Sequence, residues 1–127
     1  YVVNRESHRI TILDPARNEA AGEIPTGRGP VRVAVTPDGR TLVYALIHDE
    51  SVEFADIASR RVLGAVKLEG RPVSLSLSPD GERAYASVQD RDTVYCVSVR
   101  ERRILRAFRT PAGSGPDPVI ELPEAGF

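Results

Sequence analysis

An all-β fold of β-propeller blades is what this 127-residue sequence predicts, and three observations predict it. The stretch PVRVAVTPDGR, Pro30 to Arg40, returns forty-two residues later as PVSLSLSPDGE, Pro72 to Glu82. The same shift carries apolar columns with it: Ile10, Val52 and Val94 form one, and Ile24, Val66 and Phe108 another. Within each period, apolar residues alternate with small or polar ones at the strand spacing of two, and no amphipathic helix of useful length interrupts them.

In chain order, YVVN (Tyr1–Asn4) and ITILD (Ile10–Asp14) read as strands separated by a polar loop, and a third strand leads to Ile24. PVRVAV follows, with Val33 and Val35 on one face. Pro37-Asp38-Gly39 then supplies turn chemistry: Pro presets φ, Asp bonds its own backbone and Gly accepts a positive φ. TLVYALI (Thr41–Ile47), SVEFAD (Ser51–Asp56) and RVLGAVK (Arg61–Lys67) complete four strands. The next period repeats them as PVSLSL, RAYASVQ (Arg83–Gln89), TVYCVSV (Thr93–Val99) and RILRAFR (Arg103–Arg109). Four short strands in about 42 residues make one propeller blade, labelled a to d from the centre outward. The PVRVAV type is strand a because it precedes the Pro-Asp-Gly hairpin. The chain therefore divides into strands b, c and d of a first blade (1–26), a second blade (27–68), a third blade (69–110) and a degraded terminal strand a (115–124). In that last segment Pro116 and Pro123 keep the seven-residue spacing of Pro30 and Pro37.

Composition narrows the partners. The net charge is −1, which signals neither a nucleic-acid footprint nor an anionic-membrane patch, and no apolar run reaches the length of a membrane span. Of the seventeen basic residues only Lys67 is not Arg. Cys96 is the one cysteine, so an intrachain disulfide or a Cys-based zinc site is excluded, and its alternating surroundings mark it as a small core residue. No signal peptide is visible. The chain lacks Met even at position 1, and reads as one that begins after a removed segment or as a piece of something longer.

YVVN, ITILD and IPTGRGPVRVAVTPDG (Ile24–Gly39) resemble the prokaryotic YVTN-type propeller repeat, whose consensus runs YVTN, a VSVID strand, IPVG, then GP and VAVSPDG. The likeness covers roughly residues 1–111, with the third copy degenerating. There the YVTN equivalent is Tyr85-Ala86-Ser87-Val88, and Ser98 stands where Asp14 and Asp56 stand in the first two copies. The resemblance implies a surface-layer or other extracytoplasmic protein, periplasmic or at the cell surface, acting as a non-enzymatic binding or scaffold module for a small molecule or a protein. Related propellers include lactonases acting on sugar acids, quinoproteins and proteins handling modified haems. An enzyme or cofactor carrier with its site at the channel end is therefore the alternative.

Three blades are too few to close a ring, since propellers have about four to eight. An open stack would leave edges exposed to aggregation. The working ring is expected to be completed by missing blades of a longer chain, by a second copy that makes six blades, or by a different chain.

In this topology the d–a loops (Gly27–Pro30, Glu69–Pro72, Pro111–Pro116) and the b–c loops (Asn4–His8, Ile47–Glu50, Gln89–Asp92) share one end of the blades. Arg28, His48, Asp49, Arg71 and Asp90 are the candidate ligand-binding residues gathered there, joined by Arg32, which with Ser74 occupies an equivalent early position in strand a and is expected to line the channel. Glu50, Arg91 and Asp92 fall in the same loops. The set suits a small anionic or metal-bearing ligand, against the plainer expectation that polar loops on a β scaffold are simply solvated. His8 and His48 occupy different columns of the repeat and read as solvated loop residues rather than metal ligands. Asp14 and Asp56 end strand c just before a turn and are expected to cap it, and Asp38 and Asp80 are turn residues. No nucleophile motif, phosphate loop or zinc pattern is present, so no catalytic residue, metal ligand or cofactor is expected.

Overall fold

A computed structural model describes residues 1–123. Its strands form three antiparallel sheets side by side. The first holds β1 (Val2–Asn4), β2 (Arg9–Asp14) and β3 (Glu19–Pro25). The second runs β4 (Pro30–Val35), β5 (Thr41–Leu46), β6 (Ser51–Asp56) and β7 (Arg61–Lys67), and the third repeats that order as β8 (Pro72–Leu77), β9 (Arg83–Val88), β10 (Thr93–Ser98) and β11 (Arg103–Arg109). The second and third sheets are four-stranded blades of a β-propeller, with strand a innermost and strand d outermost, and the first holds strands b, c and d.

The turns show why the sequence folds this way. Thr36 donates its hydroxyl to Asp38 (2.6 Å), and the same Asp38 oxygen accepts the backbone N–H of Arg40 (3.0 Å). Ser78, Asp80 and Glu82 repeat both bonds at 2.6 and 2.9 Å. The following glycines, Gly39 and Gly81, take φ of +72° and +76°, a region an L side chain resists. At the c–d turns Asp14 accepts the N–H groups of Ala16 and Arg17, and Asp56 accepts that of Ser59. Ser98 does the same work for Glu101 with its hydroxyl, so the column that changes residue type in the third copy keeps its capping role.

A bulge recurs in every blade where strand c meets strand d, between Ile12 and Leu13, Phe54 and Ala55, and Cys96 and Val97. The extra residue, Ala21, Leu63 or Leu105, falls on the outer strand, which is largely exposed.

The middle blade is buried on both faces. Leu42, Tyr44, Leu46 and Ala55 pack toward the first blade around Ile10 and Ile24. Val43, Val52 and Phe54 pack toward the third around Ala84, Ala86, Val88 and Val97. Full burial of each large apolar side chain contributes about 1.5–3 kcal/mol, so these two inter-blade layers hold the stack together. Cys96 is buried, as its alternation predicts.

The expected terminal strand a is the point of difference. Residues 115–123 lie on no strand, and position 124 falls outside the described residues. A strand a is defined by pairing with a strand b, and this segment meets side chains instead. Glu121 accepts two hydrogen bonds from Arg83 (2.7 and 3.3 Å) and one from the Tyr85 hydroxyl (2.5 Å).

Candidate functional site

The d–a and b–c loops do meet at one end of the blades, and carboxylates tie them together. Asp49, in the b–c loop of the second blade, accepts the backbone N–H of Arg28 (2.7 Å) and its Nε (2.7 Å). In the next blade Asp90 accepts the N–H of Arg71 (3.3 Å). At the third loop Asp92 accepts the N–H groups of Gly113 (2.7 Å) and Gly115 (3.0 Å). These bonds favour the charged form. The Arg28 N–H holds the Asp49 carboxyl below the usual carboxylate range, and the Gly113 and Gly115 amides do the same for Asp92.

Two glycines make the close approach possible. Gly29 and Gly70 have φ of +77° and +108°, and a Cβ on either would strike a neighbour at 2.5 Å: the His48 ring and a Val88 methyl respectively. His48 therefore lies over the Gly29 backbone with its face exposed. His8 is no free loop residue, because its Nδ1 accepts the Gly29 N–H (3.1 Å). Its backbone takes φ of +56°, and Glu50 and Asp92, one and two periods on, take +50° and +47°. The carbonyls of all three accept the first N–H after the outer strand: Thr26, Leu68 and Thr110 respectively.

The predicted residues thus fall into two groups. Arg28, His48 and Asp49 come together around Gly29, and Arg71 meets Asp90 around Gly70. No bond joins the two groups among the described residues. Arg32, on the innermost strand, is exposed with Nη1 on the Val31 carbonyl (2.9 Å), whereas Ser74, its equivalent, is 5% exposed with an unpartnered hydroxyl. The two equivalent positions thus differ in exposure, Arg32 being open to solvent and Ser74 enclosed.

Two arrangements escaped the sequence reading. Glu53 is buried and accepts the Gly27 N–H (2.9 Å), while Tyr44, beside it across the strands, is fully buried, and burial pushes its hydroxyl pKa up. The second is an open groove of about 570 Å³ beside the rim, between the second and third blades. Lys67, Arg91 and Arg109 line it with Glu69 and the nearly buried Tyr95. Lys67 is held by the Asp49 carbonyl (2.7 Å), but Arg71, Arg91 and Arg109 have no carboxylate partner among the described residues. Among those residues, no group of three His, Cys, Asp or Glu side chains is placed to hold a metal ion, and no helix is long and apolar enough to cross a membrane.

No protein-family model and no curated protein sequence matches the chain. Solved structures do. Hydrazine synthase of Kuenenia stuttgartiensis superposes with a TM-score of 0.81 at 25% identity, over 85% of this chain and 31% of its own. A functionally unknown protein from Desulfotomaculum acetoxidans DSM 771 gives 0.78 at 16% identity, over 87% of this chain and 36% of its own. The dihydro-heme d1 dehydrogenase NirN, solved in complex with DHE, gives 0.74 at 22% identity, over 89% and 24%. This chain spans 24–36% of the length of these three proteins, and the likeness is one of β-propeller fold.

Proposed function

We propose that this chain is a non-enzymatic binding and scaffold segment of a YVTN-type propeller, and that its loop rim receives an anionic ligand. One observation carries the reading: three rim carboxylates are occupied by the rim's own backbone, while three rim guanidinium groups have no carboxylate partner among the described residues. Asp49, Asp90 and Asp92 are occupied by amides of the d–a loops. Arg71, Arg91 and Arg109 remain for a ligand, and the last two border the 570 Å³ groove. Arginine is suited to carboxylate and phosphate because its planar fork donates in pairs. A backbone already held by charge-assisted bonds lowers the ordering cost of binding to that of the arginine side chains themselves.

The test is a titration with citrate, a tricarboxylate, at constant ionic strength, followed by thermal stability. A ligand of the native state raises the melting temperature by mass action. The shift should appear with the native sequence and vanish when Arg71, Arg91 and Arg109 are all changed to Gln. Equal shifts in both, or none in either, would reject the reading.

The likeness to hydrazine synthase and to the dihydro-heme d1 dehydrogenase favours a second reading, in which the segment belongs to an enzyme or cofactor-carrying propeller with its site at the channel end. Fold alone supports it. Appearance of a red-shifted Soret band when haem is added to the purified chain would favour this cofactor reading over the anion-binding one.

A further inference from the structure

The two joints between blades follow one plan and part at one place. Where the first blade meets the second, the Glu53 carboxylate accepts the Gly27 N–H at 2.9 Å. Asp49 crowds the same glycine: a Cβ there would lie 2.7 Å from its Oδ2 and 3.4 Å from Oε1 of Glu53. Glu53 is 8% exposed, so an enclosed carboxylate is part of how that joint is built. Forty-two residues on, where the second blade meets the third, all three positions have changed. Tyr95 stands for Glu53, Arg91 for Asp49 and Glu69 for Gly27, while Lys67 is matched by Arg109. The N–H of Glu69, unlike that of Gly27, is met by no side chain among the described residues.

In place of that carboxylate the second joint has the groove of about 570 Å³. Its lining joins two chemistries. Arg91 and Arg109 stand on one side, and the Arg91 stem is seated over Gly70, where a Cβ would lie 2.8 Å from its Cγ. Leu68, Ile104 and Ala107 supply an apolar wall. Tyr95 belongs to both: it is 8% exposed, and its hydroxyl has no hydrogen-bond partner among the described residues. A tyrosine so nearly buried ordinarily finds such a partner. Both walls come from complete four-stranded blades, and blades pack side by side, so a further blade would not enter the groove.

We propose that this groove binds a small organic carboxylate with an apolar body, its carboxylate taking the place that Glu53 fills in the first joint. The inference rests on the anion-binding reading of the rim and narrows it to one ligand class. The ligand carboxylate accepts from the Arg91 and Arg109 forks, the Glu69 N–H and the Tyr95 hydroxyl, and the body lies on Leu68, Ile104 and Ala107. A carboxylate is the group the repeat itself places there, and a groove of this size has room for an aromatic ring beside it. Acetate or inorganic phosphate would meet the same donors and leave the apolar wall wet.

Calorimetric titration of the purified chain with phenylpropionate, acetate, phenylpropanol and citrate tests this. Phenylpropionate should bind at least about tenfold more tightly than acetate, because the ring covers apolar wall. Phenylpropanol, which has the same body without the charge, should not bind measurably. Arg109→Gln, a change at an exposed position, should weaken phenylpropionate several-fold. Tyr95→Glu with Glu69→Gly recreates the Glu53–Gly27 pair, fills the groove with the chain's own carboxylate and should abolish binding. Citrate binding without phenylpropionate binding would overturn this inference and leave the anion reading standing. Binding of neither would overturn both. Phenylpropionate binding unchanged in the two variants, or matched by phenylpropanol, would overturn the inference alone.

Discussion

Arg28 and Asp49 meet twice, the backbone N–H and the Nε of Arg28 each donating to a different oxygen of Asp49 at 2.7 Å. The two bonds differ in worth. The guanidinium contact is a largely exposed ion pair, a class that contributes about 0–1 kcal/mol. The amide contact satisfies a backbone donor with a charged acceptor, as helix caps do, which is worth about 1 kcal/mol or somewhat more. Asp49→Ala should therefore destabilise by about 1–2 kcal/mol and Arg28→Ala by less than about 0.5 kcal/mol, read from denaturant midpoints. Equal losses would mean that the ion pair, not the amide, holds the loop.

Gly70→Ala should cost more than either. The backbone sits at φ of +108°, and the added Cβ meets Val88 Cγ1 at 2.5 Å and Asp90 Oδ1 at 2.8 Å. Strain of this kind costs about 1–3 kcal/mol before the clash with Val88 is counted. Gly113→Ala, at φ of +79° with open space around it, isolates the backbone contribution. A melting temperature for Gly70→Ala no lower than that of Gly113→Ala would contradict the packed loop described here.

Glu121→Gln should loosen the segment after β11 without disturbing the blades. The change weakens the acceptor for Arg83 and Tyr85 and leaves both apolar layers intact. Limited proteolysis should then cut within 111–123 several-fold faster, with the far-ultraviolet spectrum unchanged. An unchanged cutting rate would show that Glu121 does not hold the segment down.

Acid should weaken the rim and alkali the tail contact. Amides hold Asp49 and Asp92 below their ordinary value of 3.8, and Arg83, then Tyr85, lower Glu121 in the same sense from 4.5. A carboxyl depressed in the folded state stabilises fully above its unfolded value and loses that contribution as pH falls through the folded one. Stability should thus hold from pH 7 to about 5 and decline below about 4. Burial, then Glu121, pushes Tyr85 up from 10.0 to about 12, so its contribution is complete below 10 and lost as pH rises through about 12. Melting curves at stepped pH check both limbs, and a flat profile down to pH 2 would contradict the carboxylate ties.

Local chemistry was legible in the sequence and distant chemistry was not. β4, β6, β7 and β11 begin and end at the residues that alternation and turn chemistry mark, and Asp14, Asp38, Asp56 and Asp80 cap their own turns, because each signal is complete within a few residues. The loop end where the candidate residues gather was also readable, since the strand order fixes it. What each side chain does there was not. Asp49 holds an amide 21 residues away, His8 accepts from Gly29 at the same separation, and Arg60 rests on Gly22 in the neighbouring blade. None of these is written in local pattern; they arise only when distant loops of one blade meet or when the blades stack. The proline spacing after Gly115 suggested a strand, but pairing depends on a neighbouring strand that no local motif encodes.

The most direct measurement is native-state hydrogen exchange at the backbone amides of Arg28, Arg71, Gly113 and Gly115. If carboxylates make the rim a preorganised platform, these loop amides exchange slowly, approaching the protection of the adjoining strands, and lose it when Asp49, Asp90 or Asp92 is replaced. Exchange at the rate of an open loop in the native chain would contradict the account, leaving the rim as unstructured connections between blades.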